Sequence, residues 1–413
     1  MTGTNWAGNL TYHATALHQP CSIEELSALV TAAPSVRALG SRHSFNAIAD
    51  TTGVQVSVAG LPPVVEVNSS AREVAVSAGL RYGELVEQLD VAGWALHNLA
   101  SLPHISVAGA IATGTHGSGD HNGSLASSVA GLELVTADGT VRAVRRGDPD
   151  FDGMVVSLGL LGVVTTVTLD IVPTFQIRQD LYEGVAWEAI EADLDAITGS
   201  AYSVSLFTDW GDDGAGQAWV KSRADAVPSE AFFGAAPATR QLHPLPDELA
   251  DVTTAQLGAA GPWWDRLPHF RLGFTPSNGE ELQTEYLVPR QHAVEALRAV
   301  RTLAPLVQPH LFISELRTIA ADTLWLSPSH SVDCVAIHFT WRMHVAEIAA
   351  VLPVLDAALA PYSARPHWGK VFDTSPEQLA AAYPRIAEFR AMADRLDPNR
   401  KFANAQTDRW LTR

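Results

Sequence analysis

The sequence contains little cysteine and few basic residues, and each shortage excludes a class of protein. Its two cysteines, Cys21 and Cys334, give no zinc-ligand spacing and no disulfide framework in 413 residues, so we expect two reduced thiols. Its 27 lysines and arginines stand against 45 acidic residues, for a formal net charge of −18. Because such a charge repels phosphate backbones and anionic lipids, neither a nucleic acid nor a membrane is an expected partner.

Targeting and membrane-spanning segments are also missing from the pattern. Residues 1–14 show no basic region followed by an apolar stretch, so no signal peptide is predicted and a cytoplasmic protein is expected. The uncharged, mostly apolar stretch Met154 to Leu169 is short for a transmembrane helix and carries Ser, Thr and Gly, which predicts a buried strand–turn–strand. Hydrophobic residues make up 47% of the chain and charged residues 17%, as in globular proteins of two or three domains.

The first third of the chain alternates between strand and helix patterns. Ser22 and Glu25 form a capping-box pattern before an apolar stripe, which predicts a helix over about 22–33. A buried strand is predicted at 36–39, and the alternating valines of 54–78 predict several short strands. A second helix, over about 82–92, should end at Gly93.

Later segments suggest the domain limits. Strands are predicted at 131–136 and 163–172, with a hairpin turn at Asp138-Gly139. After residue 173 the amino-acid composition changes, and tryptophan becomes frequent. A final helix over about 376–393 should have Ser375 as its N-cap and Pro376 as its first residue. The predicted limits are residues 1–173, 174–375 and 376–413.

A glycine turn after the strand at 36–39 is the first segment that suggests chemistry. In Gly40-Ser41-Arg42-His43-Ser44 successive backbone N–H groups can point at one spot, forming an anion nest suited to a pyrophosphate. An ordinary β-turn carrying a surface histidine would fit the same residues.

A second such segment, Ser106 to Gly117, is rich in Gly, Ala, Ser and Thr. Small residues allow a backbone to approach a large flat ligand closely. The spacing matches neither the Rossmann fingerprint nor a Walker loop, and the chain has no G-x-S-x-G elbow of a serine hydrolase. A glycine-rich loop without any ligand remains the alternative.

Taken together, these two segments and Gly159 to Thr165 resemble the PCMH-type FAD domain of the vanillyl-alcohol-oxidase superfamily. Further likeness to its sugar-lactone and alditol (xylitol) oxidases lies in Asn98 to His104, Ser314 to Arg317, His367 to Lys370 and the Lys401-Phe402 pair. The resemblance covers essentially the whole chain. It implies an α+β fold: an FAD domain of two α/β subdomains, to which the C-terminal segment returns, and a substrate domain with a large antiparallel sheet.

The resemblance implies a covalent FAD, attached by its 8α carbon to a ring nitrogen of His43. The loop from Leu39 to Ser44 would wrap the pyrophosphate. Other implied cofactor contacts are Ser101, Ser106, Gly109, Thr113, Gly114, His116, Gly162 and Val164. The flavin would carry the redox chemistry while the protein orients and tunes it.

For the substrate, the resemblance implies a small polyol that gives a hydride to flavin N5 and a proton to the protein. Glu315 and Arg317 are two apart, so on a strand they face the same side and together could accept from and donate to hydroxyls, with help from Ser101. His338 and Lys370 are the two candidates for the base. Without the resemblance, these would be an ion pair, a half-buried histidine and a surface lysine.

Several rival functions remain open. A flavin dehydrogenase would share the fold, although the small Ala100, where the family controls oxygen access, favours O2 as the acceptor and H2O2 as its product. An aldonolactone is as neutral as an alditol. His104, His116, Asp120 and His121 could form a metal site, but their spacing is irregular and no metal is predicted. A tryptophan-rich sugar-binding protein is the last alternative, and a monomer is expected.

Overall fold

The computed structural model describes residues 3–226, 231–245, 248–273 and 280–411. The described part of the first 173 residues contains ten strands and four helices. The strands are β1 Ala16–His18, β2 Val36–Ala38, β3 Val54–Val56, β4 Val65–Asn68, β5 Glu73–Ser77, β6 Trp94–Ala95, β7 Val129–Val135, β8 Val141–Arg145, β9 Val163–Asp170 and β10 Val172–Pro173. The helices are α1 Ile23–Ala32, α2 Tyr82–Val91, α3 Val107–Ala112 and α4 Phe151–Val155.

Two sheets organise this half. A parallel sheet has the order β1-β3-β2, and an antiparallel sheet has the order β4-β5-β9-β7-β8. Helix α1 buries Leu26 and Val30 in one cluster with Val36 of β2 and Val163 of β9, so its apolar stripe links the two sheets.

The remaining described residues form one large sheet and seven helices. The strands are β11 Gln176–Val185, β12 Ser203–Thr208, β13 Ala215–Arg223, β14 Ala236–Pro237, β15 Gly261–Pro262, β16 Glu281–Pro289, β17 Leu311–Ile319, β18 Cys334–Arg342 and β19 Arg365–Pro366. The helices are α5 Trp187–Thr198, α6 Ala293–Thr302, α7 Ala304–Val307, α8 Val345–Leu359, α9 Pro376–Ala382, α10 Ile386–Leu396 and α11 Ala405–Trp410. The sheet order is β14-β11-β13-β12-β17-β18-β16-β19, and β15 also pairs with β11. The predicted α+β class is confirmed.

The C-terminal helices pack with the first half of the chain. Phe389 of α10 and Trp410 of α11 share a buried cluster with Val74 and Val167 of the five-stranded sheet. This packing agrees with a C-terminal segment that returns to the first domain. The exact limits at 173 and 375 stay a prediction.

Several predicted elements are confirmed. Helix α1 has Ser22 as its N-cap, since Glu25 N–H donates to Ser22 Oγ over 3.2 Å. The Glu25 carboxylate accepts from Cys21 N–H rather than from Ser22, so the capping box is completed one residue early. Strands β7 and β8 form the predicted hairpin around Asp138-Gly139. Both cysteines are free thiols.

The predicted single helix over 376–393 is wrong, because α9 and α10 are separate elements. Pro384 has no N–H and disfavours a helical residue before it, and Tyr383 accordingly has φ −108° and ψ 95°. Ser375 does cap α9, as its Oγ accepts from Gln378 N–H.

The glycine-rich region after residue 105, for which the sequence analysis predicted no helix or strand, contains helix α3 at Val107–Ala112. One further assignment is corrected. The stretch Met154 to Leu169 is the end of a helix, a turn and strand β9, not two strands. Leu158 and Gly159 in that turn have left-handed φ angles of 54° and 69°, which no strand accommodates.

The buried Arg37 explains why that turn is stable. Its guanidinium donates to the backbone carbonyls of Leu158 (2.8 Å), Gly159 (3.3 Å) and Phe402 (2.6 Å), and also to that of Ile48. Carbonyl groups that no helix or strand satisfies thus find a charged donor.

Helix α8 and the turn after it, Val345–Tyr362, are long and apolar enough to cross a membrane by length and composition. The helix buries Ile348, Val351 and Leu355 in one cluster with Ile337 of β18. A core helix passes the same test, so the finding is weak evidence for a membrane span.

Candidate active site

A cavity of about 510 Å³ has walls from both halves of the chain. The predicted site residues that line it are Leu39, Gly40, Ser41, Arg42, His43, Ser44, Ser101, Ser106, Gly109, Thr113, His116, Gly162, Val164, Glu315, Arg317, His338 and Lys370. Its size is typical of a pocket for a small molecule or cofactor.

Serine hydroxyls join the two glycine-rich segments at this cavity. Ser41 N–H donates to Ser106 Oγ over 3.3 Å, and Ser106 N–H donates to Ser41 Oγ over 3.0 Å. A Cβ at Gly40 would lie 2.4 Å from Ser106 Oγ, and one at Gly109 would lie 2.7 Å from it. A side chain at either glycine would therefore collide with the Ser106 hydroxyl that joins the two segments.

Among the predicted cofactor residues, Gly114 does not line the cavity. It has φ +67°, and a Cβ there would lie 2.9 Å from Pro328 Cδ, so its role in this structure is to turn the chain after α3. Gly162, at φ +151°, lines the cavity where β9 begins.

His43 presents an unsatisfied ring nitrogen in the cavity wall. Its Nδ1 is buried and has no hydrogen-bond partner in the described part of the chain. The ring stacks on Trp6, with centroids 5.3 Å apart and planes 20° apart. Burial lowers the pKa of His43 to about 4, so the imidazole is neutral. A neutral, fixed and unpartnered nitrogen fits a site that bonds a bound group.

Charged and polar side chains line another part of the cavity, on the nine-stranded sheet. Glu285 of β16 is paired in register with His338 of β18, which is paired with Glu315 of β17. Arg317, two residues beyond Glu315, also lines the cavity, which confirms that the two share a face. Lys370 lines the same region from the loop after β19.

Glu285 is the centre of this group, and the sequence analysis did not single it out. Its carboxylate accepts from Arg317 over 2.6 Å and from Lys370 Nζ over 2.7 Å, and it lies 3.4 Å from His116 Nε2. Burial raises its pKa, but Lys370, His116 and Arg317 outweigh burial and hold the pKa well below its usual range. His116 therefore belongs to the polar group as well as to the wall formed by the glycine-rich segment.

The hydrogen bonds of His338 define its tautomer. Lys370 Nζ donates to His338 Nδ1 over 2.7 Å, which leaves the proton on Nε2, where it is donated to Thr340 Oγ1 over 3.0 Å. Burial and the neighbouring Lys370 hold the pKa of His338 well below its usual value, so the ring is neutral. Burial also lowers the pKa of Lys370, although Glu285 opposes that shift.

A second buried chain reaches Glu315 through His269, which also lines the cavity. His269 Nε2 lies 2.7 Å from Glu315 Oε1, and Lys221 Nζ lies 3.0 Å from His269 Nδ1. The sequence analysis missed both residues. Lys221 could have been noticed in the sequence, because it directly follows the apolar run Ala218-Trp219-Val220, where another buried strand residue is expected.

The candidate metal ligands do not converge. Asp120 pairs with Arg290 over 2.7 Å, His104 Nε2 contacts the Leu272 carbonyl over 2.7 Å, and His121 is exposed. No group of three or more His, Cys, Asp or Glu within the described ranges is arranged to hold a metal ion.

Comparisons with known proteins agree with this geometry. Residues 14–145 match a family model described as FAD binding domain, and residues 278–413 match one described as D-arabinono-1,4-lactone oxidase. The chain is 50% identical over 407 residues to an alditol oxidase of Streptomyces sp., covering 97% of each chain. It is 30% identical to an L-gulono-1,4-lactone dehydrogenase of Mycobacterium tuberculosis, covering 99% of this chain and 98% of that one.

A solved structure shows the same fold at low sequence identity. Cholesterol oxidase from B. sterolicum superposes with a TM-score of 0.79 at 14% identity, over 99% of this chain and 96% of that one. The likeness extends through both halves of the chain.

Proposed function

This chain belongs to the family of FAD-dependent oxidoreductases that contains the alditol and sugar-lactone oxidases, and we propose that it oxidises the terminal hydroxyl of alditols such as xylitol or sorbitol. The products are the aldose and, from O2, hydrogen peroxide. The observation that carries the proposal is the group of Glu315, Arg317 and Lys370 in a cavity that also holds His43. Its acceptors and donors match the hydroxyls of a neutral polyol.

FAD is the proposed cofactor, bound covalently through His43. Its pyrophosphate would lie against the joined Ser41 and Ser106 backbones, and Nδ1 of His43 is the proposed point of attachment because it is the buried ring nitrogen without a partner. When bound, the flavin supplies a hydride acceptor.

Lys370 is the proposed base. Its lowered pKa makes a neutral amine accessible, and that amine takes the proton of the substrate hydroxyl as the O–H bond breaks. The resulting ammonium donates to Glu285 and His338, at the distances of 2.7 Å seen in the structure. His338 positions Lys370 through this contact, and a bound flavin would accept the hydride from the carbon that bears the hydroxyl.

Glu315, Arg317 and Ser101 are the proposed binding residues for the other hydroxyls. Arg317 donates to Ser101 Oγ over 3.3 Å, so the serine is already oriented by the guanidinium. Ala100 lines the cavity next to Ser101, and its small side chain leaves room for O2.

One spectrum tests the cofactor proposal. Purified protein is precipitated with acid, and the visible absorbance of the washed pellet is compared with that of the supernatant. We expect flavin in the pellet of the wild type and of His121→Ala, the control variant at an exposed histidine. We expect none in the pellet of His43→Ala. Flavin released from the wild type would refute the covalent link, and no flavin at all would refute the cofactor.

A peroxide assay tests the substrate proposal. Oxygen uptake and H2O2 formation are measured with xylitol, sorbitol and L-gulono-1,4-lactone under the same conditions. We expect a higher kcat/KM with the alditols than with the lactone. Faster turnover of the lactone, or flavin reduction by xylitol without reoxidation by O2, would overturn the alditol or the oxidase assignment respectively.

A cytoplasmic monomer without membrane or nucleic-acid partners completes the proposal. The net charge of −18 supports it, since anionic polymers and lipids are repelled. Cell fractionation and the molar mass by light scattering test the location and the oligomeric state. Recovery in the membrane fraction, or a dimer mass at micromolar concentration, would contradict it.

A further inference from the structure

A buried lysine lies behind the polar group, outside the substrate chemistry proposed above. Lys221, on β13, is 1% exposed, and burial lowers its pKa to about 7, although Glu315 opposes the shift. Its amino group has three acceptors. They are the carbonyls of Leu267 (2.5 Å) and Pro268 (3.2 Å) and the Nδ1 of His269 (3.0 Å). A charged lysine has three N–H donors, and each of them has an acceptor here. The surroundings of Lys221 therefore satisfy all of its hydrogen bonds.

His269 links this lysine to Glu315 through hydrogen bonds whose donors and acceptors are fixed. Because Nδ1 accepts from Lys221, the ring proton lies on Nε2, which donates to Glu315 Oε1 over 2.7 Å. Edge-to-face contacts with Trp219 and Phe207, at centroid distances of 5.1 and 5.7 Å, hold the ring on two sides. The imidazole therefore has one tautomer and one orientation.

Glu315 is left with one oxygen engaged and one available. Its Oε2 lies 3.6 Å from Arg317 Nε, beyond a normal hydrogen bond, and the residue lines the cavity. Burial raises the pKa of Glu315, but Arg317 and His269 outweigh it, so the carboxylate stays ionised. An ionised carboxylate with a free oxygen accepts a hydrogen bond and donates none.

We propose that Lys221 and His269 form a positioning dyad that holds Glu315 Oε1, so that Oε2 is presented to a substrate hydroxyl. The proposal rests on the proposed polyol oxidation. In it, the dyad sets the specificity for hydroxyl donors, since it fixes both the rotamer and the acceptor character of Glu315. Neither residue touches the reacting carbon or takes a proton from the substrate.

A double-mutant cycle on the holoenzyme tests this link. His269→Phe keeps an aromatic ring between Trp219 and Phe207 and leaves both carbonyl contacts of Lys221, but removes the donor to Glu315. Loss of one charge-assisted hydrogen bond should raise KM for xylitol by about tenfold to a hundredfold, with kcat within about threefold of wild type. His269→Gln, which retains an N–H donor, should recover most of the loss.

The same substitution in a Glu315→Gln background separates positioning from folding. If His269 acts through Glu315, His269→Phe should change KM by less than about twofold there, because the charged acceptor is already gone. Equal effects in both backgrounds, or an unchanged KM in the single variant, would overturn the proposal. Lys221→Met should behave as His269→Phe does, whereas Lys401→Met, which also removes three backbone-carbonyl contacts, should leave KM unchanged.

A measurement without substrate keeps this test apart from the proposed function. In ¹⁵N-histidine NMR spectra of the holoenzyme, His269 is identified by its loss in His269→Gln. We expect a neutral ring protonated on Nε2, and in Lys221→Met a titration midpoint at higher pH, because a neighbouring positive charge is gone. An Nδ1–H tautomer, or an unshifted titration, would refute the dyad even if xylitol is oxidised. The expected spectra with no xylitol oxidation would refute only the substrate.

Discussion

Replacing Lys370 with methionine should slow the chemical step far more than it weakens the fold. Methionine keeps the length and most of the volume of the side chain but removes every donor. Glu285 keeps its bond to Arg317 at 2.6 Å, so its buried carboxylate is not left unpaired. His338 loses a donor but is neutral and needs no counter-charge. The fold should therefore tolerate the change.

The expected kinetic loss follows from what Lys370 offers the substrate. As a neutral amine, Lys370 donates its two N–H groups to Glu285 and His338, so its lone pair is the part available to take the proton of the substrate hydroxyl. Removing a positioned general base costs about 100- to 10,000-fold in rate, or about 3–5 kcal/mol of barrier.

Anaerobic stopped-flow reduction by saturating xylitol measures this step directly, because flavin bleaching is followed before oxygen takes part. Lys401→Met is the matched control, since Lys401 binds backbone carbonyls rather than the cavity. A limiting reduction rate of Lys370→Met within about threefold of wild type would remove Lys370 from the chemistry. A slower rate restored by added alkylamine would support the assigned role.

Three other outcomes are expected. Glu285→Gln should destabilise the protein by about 3–5 kcal/mol, because Lys370 loses its counter-charge and Arg317 keeps only Glu315 at 3.6 Å. Urea unfolding measures this change, and a loss below about 1 kcal/mol would contradict the central role of Glu285. Acid should destabilise the wild type more than His269→Phe. Burial and Lys221 lower the pKa of His269 to about 4; Glu315 opposes this shift and Arg317 adds to it. Between about pH 6.5 and 4, the unfolded chain therefore binds a proton at this histidine that the folded protein does not bind. Stability is thus lost as the pH falls through that window, by about 2 kcal/mol at pH 5, and parallel urea titrations of the two proteins at pH 7.5 and 5 should differ by that amount. Finally, Ala100→Leu should slow reoxidation by O2 while the anaerobic reduction rate stays the same, and equal reoxidation rates would show that Ala100 does not control oxygen access.

Local patterns predicted the segments that approach a ligand through their backbone. The turn at Gly40-Ser41 and the small residues after Ser106 each carry their own sequence pattern, and the structure joins them through a pair of hydroxyl bonds. Glu315 and Arg317 share a face because strand geometry fixes that for residues two apart.

The remaining site residues depend on register, which no local pattern contains. Glu285 reaches Arg317 and Lys370 because β16 pairs with β18 at His338, and β18 with β17 at Glu315. His269 reaches Glu315 from a loop, at a sequence distance of 46 residues. The break between helices α9 and α10, by contrast, follows from Pro384 and could have been predicted from the sequence.

Arg37 has a consequence for when the cofactor cavity is completed. Its guanidinium lines that cavity and donates to the carbonyl of Phe402, which is made 365 positions later in the chain. Its other carbonyl acceptors, in Ile48, Leu158 and Gly159, come much earlier in the chain, so one acceptor of this buried guanidinium is missing until residue 402 has been added. The wall of the cavity at Arg37 thus reaches its full set of hydrogen bonds only after the segment around Phe402 has folded back beside β2, and we expect tight cofactor binding to follow that step.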